Sequence, residues 1–261
     1  MKAIILAAGE GKRLKKYTGD TPKGMLEFAG KSIIERQIDT FRNEGIEKII
    51  IVRGFAYDKI NFPGVTYYEN PDYDSTNMLV SLFCAEAELE GDIIVSYADI
   101  LFEERVLKGL IRSENDINVT IDTSWQEYWT ARYGKVDHDT ESLKVEDKRI
   151  VALGKPDVSV SEIDGRYVGL LRFSAKGTGQ LRDIWLAAKE KYWDIPWQIS
   201  GKPLKNAFMT DMINAMIEKG YEVNAYFTRN GWLEFDTDDD YEKMLELYNR
   251  GMLDKFIKIE N

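Results

Sequence analysis

The sequence predicts an α/β fold in which one mixed β-sheet lies between layers of helices. In the first half, apolar runs of strand length alternate with segments of helical spacing, the pattern of a parallel sheet with helices on both faces. The second half changes to short strands and polar turns, and no linker rich in Pro, Gly or Ser divides the two. With 261 residues, 44% of them hydrophobic, the chain can bury a large core, so we expect one domain over residues 1–261.

Strands and helices are predicted to alternate from the N-terminus onward. The continuous apolar run Lys2–Ala7 is typical of a strand that is covered on both faces. Apolar residues at helical spacing predict a helix over 31–44, which Gly45 ends. Ser75 is a suitable N-cap for a helix that reaches about residue 89. The other predicted elements of this half are strands over 47–52, 65–68, 92–97 and 118–122 and a helix over 103–111.

The second half predicts shorter strands followed by helices. Its strands are expected over 133–136, 142–145, 149–153, 167–173 and 222–227. Its helices are expected over 175–192, 205–219 and 239–249, and Gly220 ends the second of them. We therefore expect the second half to cover the first as a lid or as part of a binding pocket.

Composition excludes several classes of partner. The net charge of −10 argues against general nucleic-acid binding, although a local basic pocket could still hold a nucleotide. No apolar run approaches the roughly 20 residues of a membrane-spanning helix, and the apolar N-terminus ends in glycines and basic residues rather than a cleavage site. The single cysteine, Cys84, lies in an apolar segment where cysteine packs as a small hydrophobe. We expect a cytoplasmic protein without nucleic-acid or membrane partners.

The loop after the first predicted strand is the most informative segment. Residues 6–14 have the sequence L-A-A-G-E-G-K-R-L, and the dipeptide P-K follows at 22–23. Glycines let the backbone approach a ligand and turn its N–H groups toward it. Fixed cations such as Arg13 and Lys23 suit a polyphosphate. The loop therefore predicts a phosphate-binding site.

Two common phosphate-binding loops do not match this segment. A Walker A loop needs G-x-x-x-x-G-K-[ST], but here Lys12 is followed by Arg13, which has no hydroxyl for magnesium. A dinucleotide loop needs glycine or alanine where this chain has Leu14. It also needs an acidic residue at the end of the second strand, where the sequence is V-R-G at 52–54. Both classes fail on their own chemical requirements.

The same residues resemble the nucleotidyltransferase family, whose hallmark is L-A-A-G-x-G-x-R-L followed closely by P-K. Residues 6–14 and 22–23 match this hallmark in full. The resemblance implies a Rossmann-like three-layer α/β/α mixed sheet of the GT-A-like type with a β-rich acceptor lid. It implies a nucleotide-binding half over 1–123 and an acceptor-binding half over 124–261. It also implies nucleotide contacts by Leu6, Ala8, Gly9, Gly11 and Lys12, and catalytic roles for Arg13 and Lys23.

Two aspartates match the metal positions of this family. Asp99 follows the predicted strand 92–97, and Asp236 lies near the C-terminus in W-L-E-F-D-T. Mg²⁺ prefers hard oxygen ligands from one or two carboxylates together with phosphates. The resemblance therefore implies a Mg²⁺ cofactor on Asp99 and Asp236, with Glu234 as a weaker candidate. The alternatives are that Asp99 only caps the next segment and that Asp236 is a solvated acid.

A second resemblance concerns the nucleotide. Residues 70–78, N-P-D-Y-D-S-T-N-M, are similar to the N-P-x-Y…N segment of cytidylyltransferases that act on small phospho-compounds, which implies CTP as the donor. Asn77 and Ser81 are one helical turn apart and share a face. Together with Tyr97, they are expected to contact the nucleotide. The alternative is that Ser75 and Asn77 only cap the helix.

The sequence departs from the relatives that act on sugars. Those relatives often have G-G-x-G-T-R-L in the loop and an E-K-P motif whose glutamate meets sugar hydroxyls. This chain has A-A-G-E-G-K-R-L and, at 154–156, G-K-P. The resemblance therefore implies that Lys155 holds the acceptor phosphate, while the residue that reads a sugar is absent.

Other candidate acceptor contacts lie farther along the chain. Aromatic faces attract ammonium groups, so Trp125 and Trp129 are candidates for a cage around an amine, although core packing is the more common role of tryptophan. Arg132 could bind a carboxylate or a phosphate. Thr210 and Asp211 resemble an acceptor-binding pair, in which Asp211 could accept a hydrogen bond from an amine.

These features predict a Mg²⁺-dependent cytidylyltransferase. It would transfer CMP from CTP to a small phospho-acceptor of the phosphocholine, aminoethylphosphonate or phosphoglutamine type and release pyrophosphate. Two alternatives stay open: a sugar-1-phosphate nucleotidyltransferase that uses UTP, dTTP or CTP, and a non-catalytic relative that senses nucleotides. A glycosyltransferase is disfavoured because Asp99 does not belong to a D-x-D motif. The oligomeric state stays open, a homodimer included.

Overall fold

A computed structural model describes residues 1–259. The strands are β1 (Lys2–Ala7), β2 (Glu27–Phe28), β3 (Lys31–Ser32), β4 (Ile49–Arg53), β5 (Val65–Glu69), β6 (Ile93–Tyr97), β7 (Ile100–Phe102), β8 (Ile117–Asp122), β9 (Glu141–Glu146), β10 (Arg149–Pro156), β11 (Arg166–Phe173), β12 (Pro196–Trp197), β13 (Lys202–Pro203), β14 (Val223–Thr228) and β15 (Trp232–Glu234). The helices are α1 (Lys15–Thr18), α2 (Ile33–Asn43), α3 (Met78–Cys84), α4 (Glu104–Ile111), α5 (Trp125–Tyr133), α6 (Ala175–Tyr192), α7 (Met209–Glu218) and α8 (Asp238–Asn249).

Nine of these strands form one mixed sheet, in the order β5-β4-β1-β6-β11-β8-β14-β10-β9. The strands β4, β1 and β6 run parallel, as do β14 and β8. Strand β11 enters antiparallel between β6 and β8 and joins the two parallel groups. The hairpin of β9 and β10, from the half expected to cover the site, meets β14 at the pair Arg149 and Asn224. The prediction of a mixed sheet is confirmed.

The sheet has a hydrophobic core on each face. Strand β1 shows why, because Ala3 and Ile5 pack into one core and Ile4 and Leu6 into the other. Helices α2, α4, α5 and α8 cover the first face, and α3, α6 and α7 cover the second. Each isoleucine buried in this way contributes roughly 1.5–3 kcal/mol. The three-layer α/β/α prediction is therefore confirmed.

Two predicted helices begin later than expected. The N-cap of α3 is Asn77, not Ser75. Residues 72–76 form a turn instead, in which the backbone amides of Ser75 and Thr76 donate to the carbonyl of Asp72. Helix α3 ends at Cys84, and a short 3₁₀ turn at Glu86–Glu88 replaces its predicted last turn. Helix α7 begins at Met209 after another 3₁₀ turn, Leu204–Asn206.

The predicted strand over 133–136 was wrong. Residues 125–133 form the helix α5, which Gly134 ends in a left-handed conformation, φ 76°. Trp125, Tyr128 and Trp129 have the three- and four-residue spacing of one helix face, and all three are buried. Burial of these rings on one face stabilises the helix, which extends through Tyr133, the first residue of the predicted strand.

The sequence did not predict the short strands β7 and β15. They pair antiparallel outside the main sheet, with Trp232 opposite Phe102 and Glu234 opposite Ile100. In the described part of the chain, no helix has both the length and the apolar character needed to cross a membrane.

Candidate active site

A cleft of about 450 Å³ lies where the parallel strands β1 and β6 end. This edge of a parallel sheet is where open α/β folds bind ligands. Its walls come from the glycine loop, the start of α3, the turn after β6 and the end of β15. The lining residues are Leu6, Ala7, Ala8, Gly9, Gly11, Arg13, Lys23, Gly24, Tyr73, Thr76, Asn77, Met78, Ser81, Tyr97, Ala98, Asp99, Glu234 and Asp236.

Most of the predicted nucleotide contacts line this cleft. Lys12 is the exception, because its exposed ammonium group pairs with Glu10 at 3.4 Å. Gly11 adopts φ +68°, and a Cβ there would lie 2.7 Å from the Cβ of Lys23. Glycine at this position therefore lets the stem of Lys23 pass against the loop. The loop and Lys23 form one wall of the cleft.

Lys23 connects the two predicted metal ligands. Its Nζ lies 2.6 Å from Asp99 Oδ2 and 2.5 Å from Asp236 Oδ1. Burial opposes the charge of Lys23, but the attraction of the two carboxylates is stronger, so its pKa is raised above the usual value. Arg13 approaches from the solvent side, with Nη2 at 3.2 Å from Asp236 Oδ1. Both predicted catalytic cations thus lie beside these carboxylates.

Three carboxylates meet in the cleft. Asp99, Glu234 and Asp236 each place an oxygen within 4.8 Å of the others. The pairing of β7 with β15 explains the arrangement, since the Phe235 amide donates to the Asp99 carbonyl at 3.1 Å. Asp99 Oδ1 is buried and has no hydrogen-bond partner within residues 1–259. Glu234, the weaker sequence candidate, is thus a full member of the cluster.

The environment shifts the pKa values of two of these carboxylates, Glu234 and Asp236, in opposite directions. Burial, together with the negative charge of Asp236, raises the pKa of Glu234 to about 7. Burial also acts to raise the pKa of Asp236, but the positive charges of Lys23 and Arg132 outweigh it. The pKa of Asp236 is therefore lowered. The pKa values of closely spaced carboxylates commonly separate in this way.

Arg132 lies beneath the carboxylates and is fully buried. Its Nη1 donates to Glu234 Oε2 at 2.6 Å, and its Nη2 lies 3.1 Å from Asp236 Oδ2 and 2.9 Å from Asp240 Oδ2. The structure corrects the expectation that Arg132 binds the acceptor, because helix α5 turns this side chain into the core. Its role here is to hold Glu234 and Asp236 in position.

The expected aromatic cage is also corrected. Trp125 and Trp129 are buried in the core, so neither offers a ring face to a ligand. The Trp129 indole N–H donates to the backbone carbonyl of His138 at 2.8 Å. These tryptophans support the site, because Tyr128 in the same cluster accepts a hydrogen bond from the Glu234 amide at 2.9 Å.

The pair Thr210 and Asp211 is buried as well. Asp211 accepts hydrogen bonds from the Ser200 amide at 3.0 Å, the Ser200 hydroxyl at 2.8 Å and the Phe208 amide at 2.9 Å. It thus caps helix α7 and is not exposed to an acceptor, which corrects the expectation. Thr210 packs beneath Gly154. A Cβ on residue 154 would lie only 2.9 Å from the Cβ of Thr210. Lys155 is exposed on β10, and its contact with an acceptor stays a prediction.

The sequence analysis assigned no individual role to two side-chain amides that support the site. Gln37 donates from Nε2 to the carbonyls of Tyr97 and Ile100, at 2.8 and 2.7 Å, and so fixes the turn that carries Asp99. Asn70 donates to the hydroxyl of Ser81 at 2.9 Å. Gln37 had one detectable signal, since it is a polar residue on the apolar face of a helix.

The fold and the cleft define a transferase that uses a nucleoside triphosphate, because a glycine loop with fixed cations faces three carboxylates at the end of a parallel sheet. Comparison with known proteins agrees. The sequence profile of the MobA-like NTP transferase domain matches residues 3–139. The chain belongs to this family.

Two curated relatives match part or nearly all of the chain. The CTP:phosphoglutamine cytidylyltransferase of Campylobacter jejuni subsp. jejuni is 32% identical over 94% of this chain and all of its own length. The choline-phosphate cytidylyltransferase of Streptococcus pneumoniae is 35% identical over 43% of this chain and 51% of its own length.

Solved structures share the fold. The CTP:phosphocholine cytidylyltransferase of Streptococcus pneumoniae superposes with a TM-score of 0.70 at 22% identity, over 95% of this chain and 98% of that one. The inositol-1-phosphate CTP transferase from T. maritima gives a TM-score of 0.70 at 20% identity, over 99% of this chain and 98% of that one.

Proposed function

We propose that the protein transfers CMP from CTP to a small phosphorylated or phosphonate compound that carries an amine or amino-acid group, and releases pyrophosphate. The observation that carries the proposal is the match, over nearly the whole chain, to a relative named for CTP and phosphoglutamine. The cleft supports it, since Arg13, Lys23, Asp99 and Asp236 all line one cavity beside the loop. A protein that only senses nucleotides would not need all four.

The reaction would be a single in-line displacement. An oxygen of the acceptor phosphate attacks the α-phosphorus of CTP, and the bond to the pyrophosphate oxygen breaks. The attacking oxygen is already anionic at neutral pH, so no general base is required. Backbone N–H groups near Gly9 and Gly11, together with Arg13, would hold the β- and γ-phosphates. Lys23 would stabilise charge at the α-phosphate, so catalysis would consist of positioning and charge neutralisation.

We also propose a Mg²⁺ cofactor on Asp99, Asp236 and Glu234. The donor set fits, because three carboxylates place oxygens within 4.8 Å of one another and Asp99 Oδ1 is buried without a partner in the described chain. Mg²⁺ is bound by such oxygen ligands together with substrate phosphates. When bound, it would supply positive charge to the phosphate oxygens.

The compartment is a further proposal. Cys84 is the single cysteine of the chain and is half-buried. A thiol of this kind stays reduced in the cytoplasm, where we propose that the enzyme works.

A pyrophosphate-release assay tests the proposed function. CTP, UTP and dTTP are each paired with phosphocholine, phosphoethanolamine, aminoethylphosphonate, phosphoglutamine and glucose 1-phosphate. We expect release with CTP and an acceptor that carries an amine, and little with glucose 1-phosphate, because residue 154 is Gly where sugar-acting relatives have Glu. Release with glucose 1-phosphate alone would favour the sugar alternative. Nucleotide binding without release from any pair would favour a sensor.

A further inference from the structure

Arg166 is a nearly buried cation with unused hydrogen-bond donors. Its side chain is 11% exposed, at the start of β11. Nη1 donates to the Asp139 carbonyl at 2.9 Å, and Nη2 lies 3.5 Å from the Asp139 carboxylate. A guanidinium group has five N–H donors. Within residues 1–259, the Nε of Arg166 makes no hydrogen bond, and this atom is not fully buried.

Arg166 also lies close to the carboxylate cluster. Its guanidinium carbon is 4.3 Å from the centroid of the Trp129 ring, and that of Arg132 is 5.1 Å from the same centroid. Arg132 is the residue that holds Glu234 and Asp236. The guanidinium groups of Arg166 and Arg132 therefore both contact the ring of Trp129.

Glu141 supplies the opposite charge in the same region. It opens β9, two residues after the Asp139 that contacts Arg166, and it faces Pro156 across the hairpin. Its carboxylate makes no hydrogen bond or ion pair in the part of the chain that the structure describes. Burial raises the pKa of Glu141, and the charge of Arg166 is the largest influence in the other direction.

A pair of tyrosines links this region to the nucleotide cleft. Tyr97 lines the cleft, and its hydroxyl lies 3.2 Å from that of Tyr167, the residue after Arg166. Glu141 and Asp99 both raise the pKa of these tyrosines, after the effect of burial. Tyr167 is therefore both the neighbour of Arg166 in β11 and the hydrogen-bond partner of a residue that lines the cleft.

We propose that Arg166 and Glu141 recognise the charged groups of the acceptor, Arg166 binding a carboxylate and Glu141 binding a primary ammonium group. The acceptor would thus be a phosphorylated amino acid or a close derivative. Trp125 and Trp129, the expected cage for a quaternary amine, are buried, whereas a carboxylate favours an ammonium group that has N–H donors. This inference rests on the proposed function and narrows its acceptor class.

The test uses four phosphomonoesters that differ in their charged groups. Ethyl phosphate has neither group, phosphoethanolamine has the ammonium, phosphoglycolate has the carboxylate, and O-phosphoserine has both. Their binding is measured by calorimetry in the presence of Mg²⁺ and a CTP analogue that cannot be cleaved at the α-phosphorus. For the wild-type protein, we expect O-phosphoserine to bind most tightly.

The variants should separate the two charges. Arg166→Gln should weaken binding of the two carboxylate-bearing ligands roughly 10- to 100-fold and leave phosphoethanolamine unchanged. Glu141→Gln should do the same for the two ammonium-bearing ligands. Arg166→Lys keeps the charge and should retain part of the preference. Arg149→Gln is the matched control, because Arg149 is an exposed arginine on β10 that pairs with Glu222 at 2.7 Å.

Several outcomes would overturn this inference. Equal binding of all four ligands by the wild-type protein would do so, and so would an equal loss for all four in Arg166→Gln with an unchanged melting temperature. Pyrophosphate release separates the two proposals. Selective binding without release would contradict the proposed function alone, whereas release with unaltered selectivity in both variants would contradict the charge recognition alone.

Discussion

At the scale of single residues, the carboxylates of the cleft are held from two sides. Lys23 contacts Asp99 and Asp236 from the cleft, whereas Arg132 contacts Asp236 and Glu234 from the core. The two cations therefore have different roles. Lys23 lines the cleft, where a nucleotide phosphate would reach it, and Arg132 is fixed by packing in the core.

The variant Lys23→Met tests the cation that lines the cleft. We expect kcat for pyrophosphate release to fall by about 10²–10³, since removing one charge-stabilising donor commonly costs this much. Lys31→Met is the control, because Lys31 forms a partly exposed pair with Asp39 at 2.7 Å and does not line the cleft. A kcat within threefold of the wild type would reject the catalytic role of Lys23.

The variant Arg132→Met tests the buried cation. Breaking a buried ion pair from one side typically costs 3–5 kcal/mol, so we expect roughly that loss in the free energy of unfolding. Urea denaturation measures it. Arg149→Met removes the exposed pair with Glu222 and should cost less than about 1 kcal/mol. Equal losses in both variants would show that Arg132 does not support the cluster.

The sequence predicted the residues of the loop better than those of the second half. Arg13, Lys23 and Asp99 lie in or beside motifs whose spacing is local, and all three line the cleft. Arg132 and Asp211 were misassigned because a charged residue in a sequence gives no sign of the face on which it will lie. Only packing decides whether such a group meets solvent or caps a buried helix.

At the scale of elements, two short pairings build the cleft. Strands β7 and β15 have three residues each, too few to show a periodic pattern, yet their pairing brings Glu234 beside Asp99. Helix α5 was missed for a related reason, since its apolar residues are aromatic, and aromatic residues are more common in strands than in helices. Elements that depend on distant partners therefore could not be predicted from the sequence.

The glycine loop provides the test at this scale. Gly11→Ala would strain a backbone at φ +68° and place a Cβ 2.7 Å from that of Lys23. We expect a stability loss of about 1–2 kcal/mol and a fall in kcat/KM for CTP of tenfold or more, because Lys23 must move. Gly45→Ala is the control, since Gly45 has φ +79° and open space around it. Its stability should fall similarly while kcat/KM stays unchanged, and equal kinetics in both variants would contradict the prediction.

At the scale of the whole molecule, the sheet fixes which parts of the site are close. Strands β1 and β6 are parallel neighbours, so the loop after one and the turn after the other meet at the same edge. The alternation of strands and helices already predicted this edge. It could not predict that β11 would enter antiparallel between β6 and β8, which brings Arg166 and Tyr167 from the second half toward the site.

Removal of divalent metal tests how far the molecule depends on its proposed cofactor. Lys23, Arg13 and Arg132 already pair with the carboxylates, so the protein should stay folded without metal. We expect EDTA to abolish pyrophosphate release, Mg²⁺ to restore it, and the melting temperature of the nucleotide-free protein to change by less than about 3 °C. A large fall in melting temperature would indicate a structural metal instead. Full turnover in EDTA would contradict the proposed role of Asp99, Glu234 and Asp236 as metal ligands.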